Sequence, residues 1–134
     1  MISTMQLVFW IVIGGIVGLR LADIDLAPVL PIKHRSAWTH GPFLPVLALL
    51  LVTAYPAAWG ACVSFCAAHA LHLLLDIFPR KWKGSSLINL YPVPLSLPPL
   101  LSFLYLLASM TAAGWVVVKI MGWPVGDWWR LYGI

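Results

Sequence analysis

The first charged side chain, Arg20, comes after nineteen uncharged and mostly apolar residues. As a helix that stretch is about 28 Å long, close to the roughly 30 Å hydrocarbon thickness of a bilayer. It has no basic leading region and no small-residue cleavage site, so it reads as a retained membrane helix rather than a signal peptide. The rest of the chain follows suit. Of its 134 residues 62% are hydrophobic and only 9% charged, where a soluble domain needs roughly 25% charged residues to cover its surface. The expectation is a single all-α membrane domain, a bundle of about four transmembrane helices over 2–21, 42–55, 57–78 and 100–121. The second is short for a full span, and reads either as a partial span or as one that continues past Pro56 with a kink.

Gly14 and Gly18 give the first helix a small-xxx-small face for close approach of a neighbour. Pro28 and Pro31 interrupt the first loop. A proline run over 91–99 is incompatible with helix and predicts an extended segment lying over the bundle. Trp123, Trp128 and Trp129 beside Arg130 predict an interfacial C-terminal tail. Cys62 and Cys66, one turn apart in an apolar stretch, read as packing residues and not as a disulfide framework.

The basic residues set orientation and carry no nucleic-acid signal. If helices 2 and 3 form a hairpin, the loops on either side of it share one membrane face. That face then holds Arg20, Lys33, Arg35, Arg80, Lys81 and Lys83, against Lys119 and Arg130 on the other. The positive-inside rule places both loops in the cytoplasm.

The acids and imidazoles gather on that same face. The chain has four acidic residues and four histidines; all but Asp127 fall in the first loop or in the last turns of helix 3. His69, His72 and Asp76 are spaced i, i+3, i+7 and share a helix face. Asp76 stands near a helix C-terminus, where the macrodipole disfavours an anion, so it needs a metal or a basic partner such as Arg80 or Lys81. Asp23 and Asp25 are two repelling carboxylates that a divalent cation would relieve. His34 and His40 add imidazole donors of the kind that suits Zn, Mn or a similar first-row ion. The expected metal set is Asp23, Asp25, His34, His40, His72 and Asp76, holding one or two ions. His69 is a ligand, a partner that orients His72, or neither.

Asp23-Ile-Asp25, His34-Arg35-x-x-x-Thr39-His40 and His72-Leu-Leu-Leu-Asp76, in that order, resemble the YdjM-like inner-membrane proteins, a family of metal-dependent hydrolases. The pattern of that family is PDxD, HRGxTHS and SHxxxD, followed by a Gly and a Leu-x-Pro-like stretch, which Gly84 and Leu90-Tyr91-Pro92 resemble. Ala22, Ser36 and Gly41 depart from it, as does one extra residue between Arg35 and Thr39. The resemblance implies a metal-dependent hydrolase in a bacterial inner membrane.

On that reading a bound metal lowers the pKa of a coordinated water and polarises the bond under attack. Asp23 is the candidate base, and Arg35 either holds a phosphate through its planar fork or serves only as a positive-inside anchor. The site's depth points to a membrane lipid or other amphiphilic phosphoester as substrate. The alternative is a non-catalytic accessory subunit of a larger membrane complex, with His69 or His72 ligating a haem or chlorophyll-type pigment.

Overall fold

The computed structural model describes residues 3–26, 35–78, 87–93 and 95–122, with Asp25 and Leu26 described in backbone only. Its four α-helices are α1 (Thr4–Arg20), α2 (Phe43–Ala54), α3 (Trp59–Ile77) and α4 (Pro99–Gly122), and no strand is formed among the described residues. Lys33, His34, Arg80, Lys81, Lys83, Gly84, Asp127 and the tryptophan-rich tail lie outside the described residues.

Local chemistry explains the helix ends. Ser3 and Gln6 form a reciprocal capping box that starts α1, satisfying two donors that a helix N-terminus leaves open. Pro42 caps α2 and Pro56 opens a single 3-10 turn before α3, so α2 does not run on through Pro56 with a kink. It stops at twelve residues, about 18 Å, well short of a bilayer's hydrocarbon. Two segments, Pro56–Ile77 and Pro99–Gly122, are long and apolar enough to cross a membrane.

α1 packs along α3, and α2 and α4 pack on α3 and on each other. A Cβ on Gly14 would strike the Ala61 carbonyl and the Ser64 hydroxyl, and one on Gly18 would strike the Phe65 carbonyl. The two glycines therefore bring the backbones of α1 and α3 together inside this chain. Ser102, Leu106, Ser109, Ala113, Val116 and Ile120 form the buried seam of α4, recurring every three or four residues as a helix–helix seam does. One core cluster joins Ala48 and Val52 of α2 to Cys62 and Cys66 of α3 and to Val116 and Ile120 of α4. Both cysteines are free and buried, in keeping with a packing role.

A second cluster lies at the opposite end from the α2–α3 turn and joins Leu73 and Ile77 to Ile88 and Leu106. Ile88 belongs to the segment before α4; the proline run is not extended throughout, since residues 91–93 form a tight turn closed by the Leu90–Leu95 hydrogen bond and Pro99 opens α4. Asn89 exchanges hydrogen bonds with the part of the first loop that leads into α2, Ala37 N donating to Asn89 O (2.8 Å) and Asn89 N to Arg35 O (2.9 Å). Ile88 N donates to Ser102 Oγ (3.1 Å), and Ser102 Oγ donates to the Leu97 carbonyl (3.0 Å). With these backbone groups paired, irregular chain can be buried at little cost. The outer surface inverts a soluble protein's: Phe9, Leu50, Leu75, Leu100 and Val118 are all more than half exposed.

Candidate metal centre

Three elements meet at the end of the bundle where α1 and α3 finish and α2 and α4 begin. α1 delivers Asp23 through a short 3-10 turn at its C-terminus. The chain entering α2 delivers His40, and the last turns of α3 deliver His72 and Asp76. The convergence expected from a hairpin is thus present for these four residues.

Asp76 is the hub. Its Oδ1 accepts two hydrogen bonds from Arg35, from Nη2 at 2.7 Å and Nε at 3.2 Å. Its Oδ2 is turned inward, 3.1 Å from His40 Nε2 and 3.4 Å from His72 Nε2. Among the described residues, the cation beside Asp76 is Arg35 of the first loop. The fork gives Arg35 a task beyond the two that the sequence allowed, phosphate holder or positive-inside anchor: it positions a carboxylate. Arg35 adopts a left-handed backbone (φ 58°), a conformation that costs a non-glycine residue about 1–2 kcal/mol. The Asn89 bridge on one side and the Asp76 pair on the other hold it there.

Neighbours on the far side of each ring aim the imidazoles. Thr39 Oγ1 lies 3.2 Å from the Ser36 carbonyl, to which it can only donate, and 2.9 Å from His40 Nδ1. Its single proton committed, the hydroxyl accepts from Nδ1–H, and the lone pair of His40 falls on Nε2. The Leu19 carbonyl lies on one side of the His72 ring, and Nε2 faces Asp76 Oδ2 on the other. Two imidazole lone pairs and a carboxylate oxygen thus face a common point. All three ligand atoms lie within 4.8 Å of one another. Three such acceptors at one point are relieved either by a metal ion or by a proton that an imidazole donates to Asp76. In a tetrahedral zinc site with bonds of 2.0–2.1 Å, neighbouring ligand atoms stand about 3.3 Å apart. The 3.1 and 3.4 Å separations of the two rings from Asp76 Oδ2 bracket that edge, and a hydrogen bond behind a ligating histidine, as Thr39 makes with His40, is what metal sites use to fix the tautomer.

The remaining expected residues divide. Asp23 stands at the rim, its side chain 38% exposed and Oδ1 3.7 Å from His72 Nε2, within reach of the site but outside the three-atom group. Asp25 lacks a described side chain, and His34 lies outside the described residues. His69 is fully buried, stacked on Phe65 with ring centroids 5.8 Å apart, between the backbones of Gly18 and Gly41. Neither of its nitrogens makes a hydrogen bond among the described residues, and it takes no place in the ligand group.

Sequence reasoning missed the supporting parts. Tyr105 Oη donates to the Ala37 carbonyl at 2.7 Å, tying the first loop to α4. A Cβ on Gly41 would strike both that hydroxyl and the Ala37 carbonyl, so the turn that presents His40 depends on glycine. Trp38 Nε1 donates to the Tyr91 carbonyl at 2.9 Å. Only the adjacency of Thr39 to His40 could have been found in advance, as a hydroxyl next to an imidazole.

No family model, curated protein or solved structure matches the chain.

Proposed function

We propose that this protein is a membrane-seated, metal-dependent hydrolase with one divalent ion held by His40, His72 and Asp76. The observation that carries this reading is the convergence of three electron-pair donors at metal-ligand spacing, each aimed by a partner behind it. The motif resemblance to the YdjM-like proteins adds support from the same residues. A divalent ion in such a site polarises a phosphoryl or acyl oxygen and brings the pKa of a coordinated water toward neutrality.

The chain's own groups have distinct tasks. Arg35 holds Oδ1 of Asp76 so that Oδ2 faces the site, and Thr39 keeps the His40 proton on Nδ1. Asp23, exposed at the rim and beside His72, is the carboxylate placed to take a proton from water. The site lies at the end of an apolar bundle, which supports an amphiphilic phosphoester as substrate and, with the basic residues of both loops, a cytoplasmic face of a bacterial inner membrane. The pigment alternative fits less well. His69 is sealed from either side, and Nε2 of His72 is directed at Asp76.

Elemental analysis of protein purified in metal-supplemented detergent buffer tests the reading. One equivalent of Zn or Mn is expected, lost in His40→Ala and in His72→Ala while the helical content stays. The metal-loaded protein is expected to hydrolyse a phosphomonoester lipid, and Asp23→Asn to slow that turnover about 100-fold or more with the metal retained. Full metal content in His40→Ala, or none in the wild type, would overturn the assignment.

A further inference from the structure

We infer that the crevice between α1 and α2 holds one acyl chain of a phospholipid whose head lies at the metal centre. The inference rests on the hydrolase reading for the head and on separate observations for the chain.

The crevice has a volume of about 280 Å³ and is backed by Ala61, Cys62 and Phe65 of α3. Its side walls run from Trp10 to Leu21 on α1 and from Leu44 to Leu51 on α2. The lining is apolar throughout. Eleven helical steps from Trp10 to Leu21 amount to about 16 Å, half of a roughly 30 Å hydrocarbon core, which is the depth of one leaflet.

Each wall ends beside the metal centre. Leu21 is two residues before Asp23, and Leu44 is four after His40. Phe65 carries His69 stacked on it, one turn below His72. A chain lying in the crevice therefore has its polar end at the ligand group.

Shape selects the occupant. A helix about 10 Å wide is too broad to enter a crevice of about 280 Å³ and could only lie across its mouth, whereas a single acyl chain is a slender rod that can lie inside it. Leu47 and Leu51, half-exposed at the crevice edge, leave it open sideways to lipid, so a chain can enter from the bilayer without passing through water.

The test uses phosphatidic acid with a diazirine near the end of one acyl chain, added at low molar ratio to the full chain in detergent micelles. Adducts are mapped by mass spectrometry, with metal content measured on the same sample. Adducts are expected on Val17, Leu47, Leu51 and Phe65, and excess unlabelled phosphatidic acid should remove them. Leu47→Trp, which fills the crevice from an exposed position, should cut them about tenfold, the loss of roughly two buried methylenes. Leu104→Trp, on the outer face of α4, should leave them unchanged.

Equal labelling of Leu104 and Val118 that excess lipid does not displace would mean an unspecific lipid annulus and overturn the inference. So would chain-to-chain crosslinking of Leu47→Cys, which would put a second copy in the crevice. The hydrolase reading fails separately: localised, displaceable adducts on protein that binds no metal would leave the acyl site standing and remove the ion.

Discussion

At the level of single residues, Asp76 carries two loads that substitution can separate. Its side chain is only 13% exposed and that of Arg35 12%, so neutralising it strands a guanidinium in a poorly solvated place. Asp76→Asn is expected to abolish metal retention and to destabilise the bundle by about 3 kcal/mol, measured by denaturant unfolding in mixed micelles. Arg35→Lys keeps the charge and loses the two-pronged grip. It is expected to weaken metal affinity by roughly 10–100-fold, read by competition with a chelator, in a bundle that still folds. His69 makes the opposite prediction. A buried imidazole without a hydrogen bond costs about 1–3 kcal/mol, so His69→Leu should retain the full metal content and unfold no earlier than the wild type on heating. Loss of metal in that variant would make His69 part of the site. The sequence made His72 and Asp76 legible because i, i+4 spacing fixes them on one helix face. His69 satisfies the same spacing at i, i+3, yet stacks on Phe65 against Gly18, because close packing of α1 closes the helix face there. Spacing along one helix cannot register what a neighbouring helix covers. The role of Arg35 was equally hidden: a left-handed backbone and a partner 41 positions away are tertiary facts.

Among the elements, α1 is the one whose placement decides whether Asp23 reaches His72, and glycine decides that placement. Gly18→Val should push α1 off the Phe65 carbonyl, costing about 1–3 kcal/mol by overpacking, and should slow turnover by displacing Asp23. Gly15 is the internal control. A Cβ there meets nothing within 4 Å, and replacing a helical glycine by alanine where there is room for the methyl group gains up to about 1 kcal/mol. Gly15→Ala is therefore expected to melt slightly higher with turnover unchanged, and a loss equal to that of Gly18→Val would mean that helix propensity, not contact, was being measured. The small-xxx-small spacing of Gly14 and Gly18 was readable in advance, as were the proline boundaries of α2. The route of residues 87–97 was readable only as non-helical. Its pairing with Arg35 and Ala37 depends on backbone hydrogen bonds between segments far apart in sequence, which leave no periodic mark.

Across the whole molecule, the antiparallel arrangement of α2 and α3 puts the first loop and the segment before α4 at one end and the Tyr55–Ala58 turn at the other. In a bundle that crosses a membrane, that arrangement would put the proposed site at one face, which can be tested without touching the proposed metal ligands. Trp38, Val93 and Tyr55 are each more than half exposed, and the two native cysteines are buried, so single cysteines can be introduced over a quiet background. In vesicles of known orientation, a membrane-impermeant maleimide should label Trp38→Cys and Val93→Cys from the same side, the cytoplasmic one if the basic loops obey the positive-inside rule. Tyr55→Cys should not react from that side. α3 with its leading turn spans 22 residues, about 33 Å, enough to carry the turn across the hydrocarbon. α2, at about 18 Å, is about 15 Å shorter and cannot do so alone, so in a chain that crosses the bilayer Trp38 is expected to sit deeper than the α3 terminus. Labelling of Trp38→Cys should consequently be slower than that of Val93→Cys, since Trp38 lies at the α2 end of the loop. Reaction of Trp38→Cys and Val93→Cys from opposite sides would separate His40 from His72 and Asp76 and dismantle the metal centre. Equal rates for all three cysteines from one side would instead make this a bundle that lies on the membrane without crossing it.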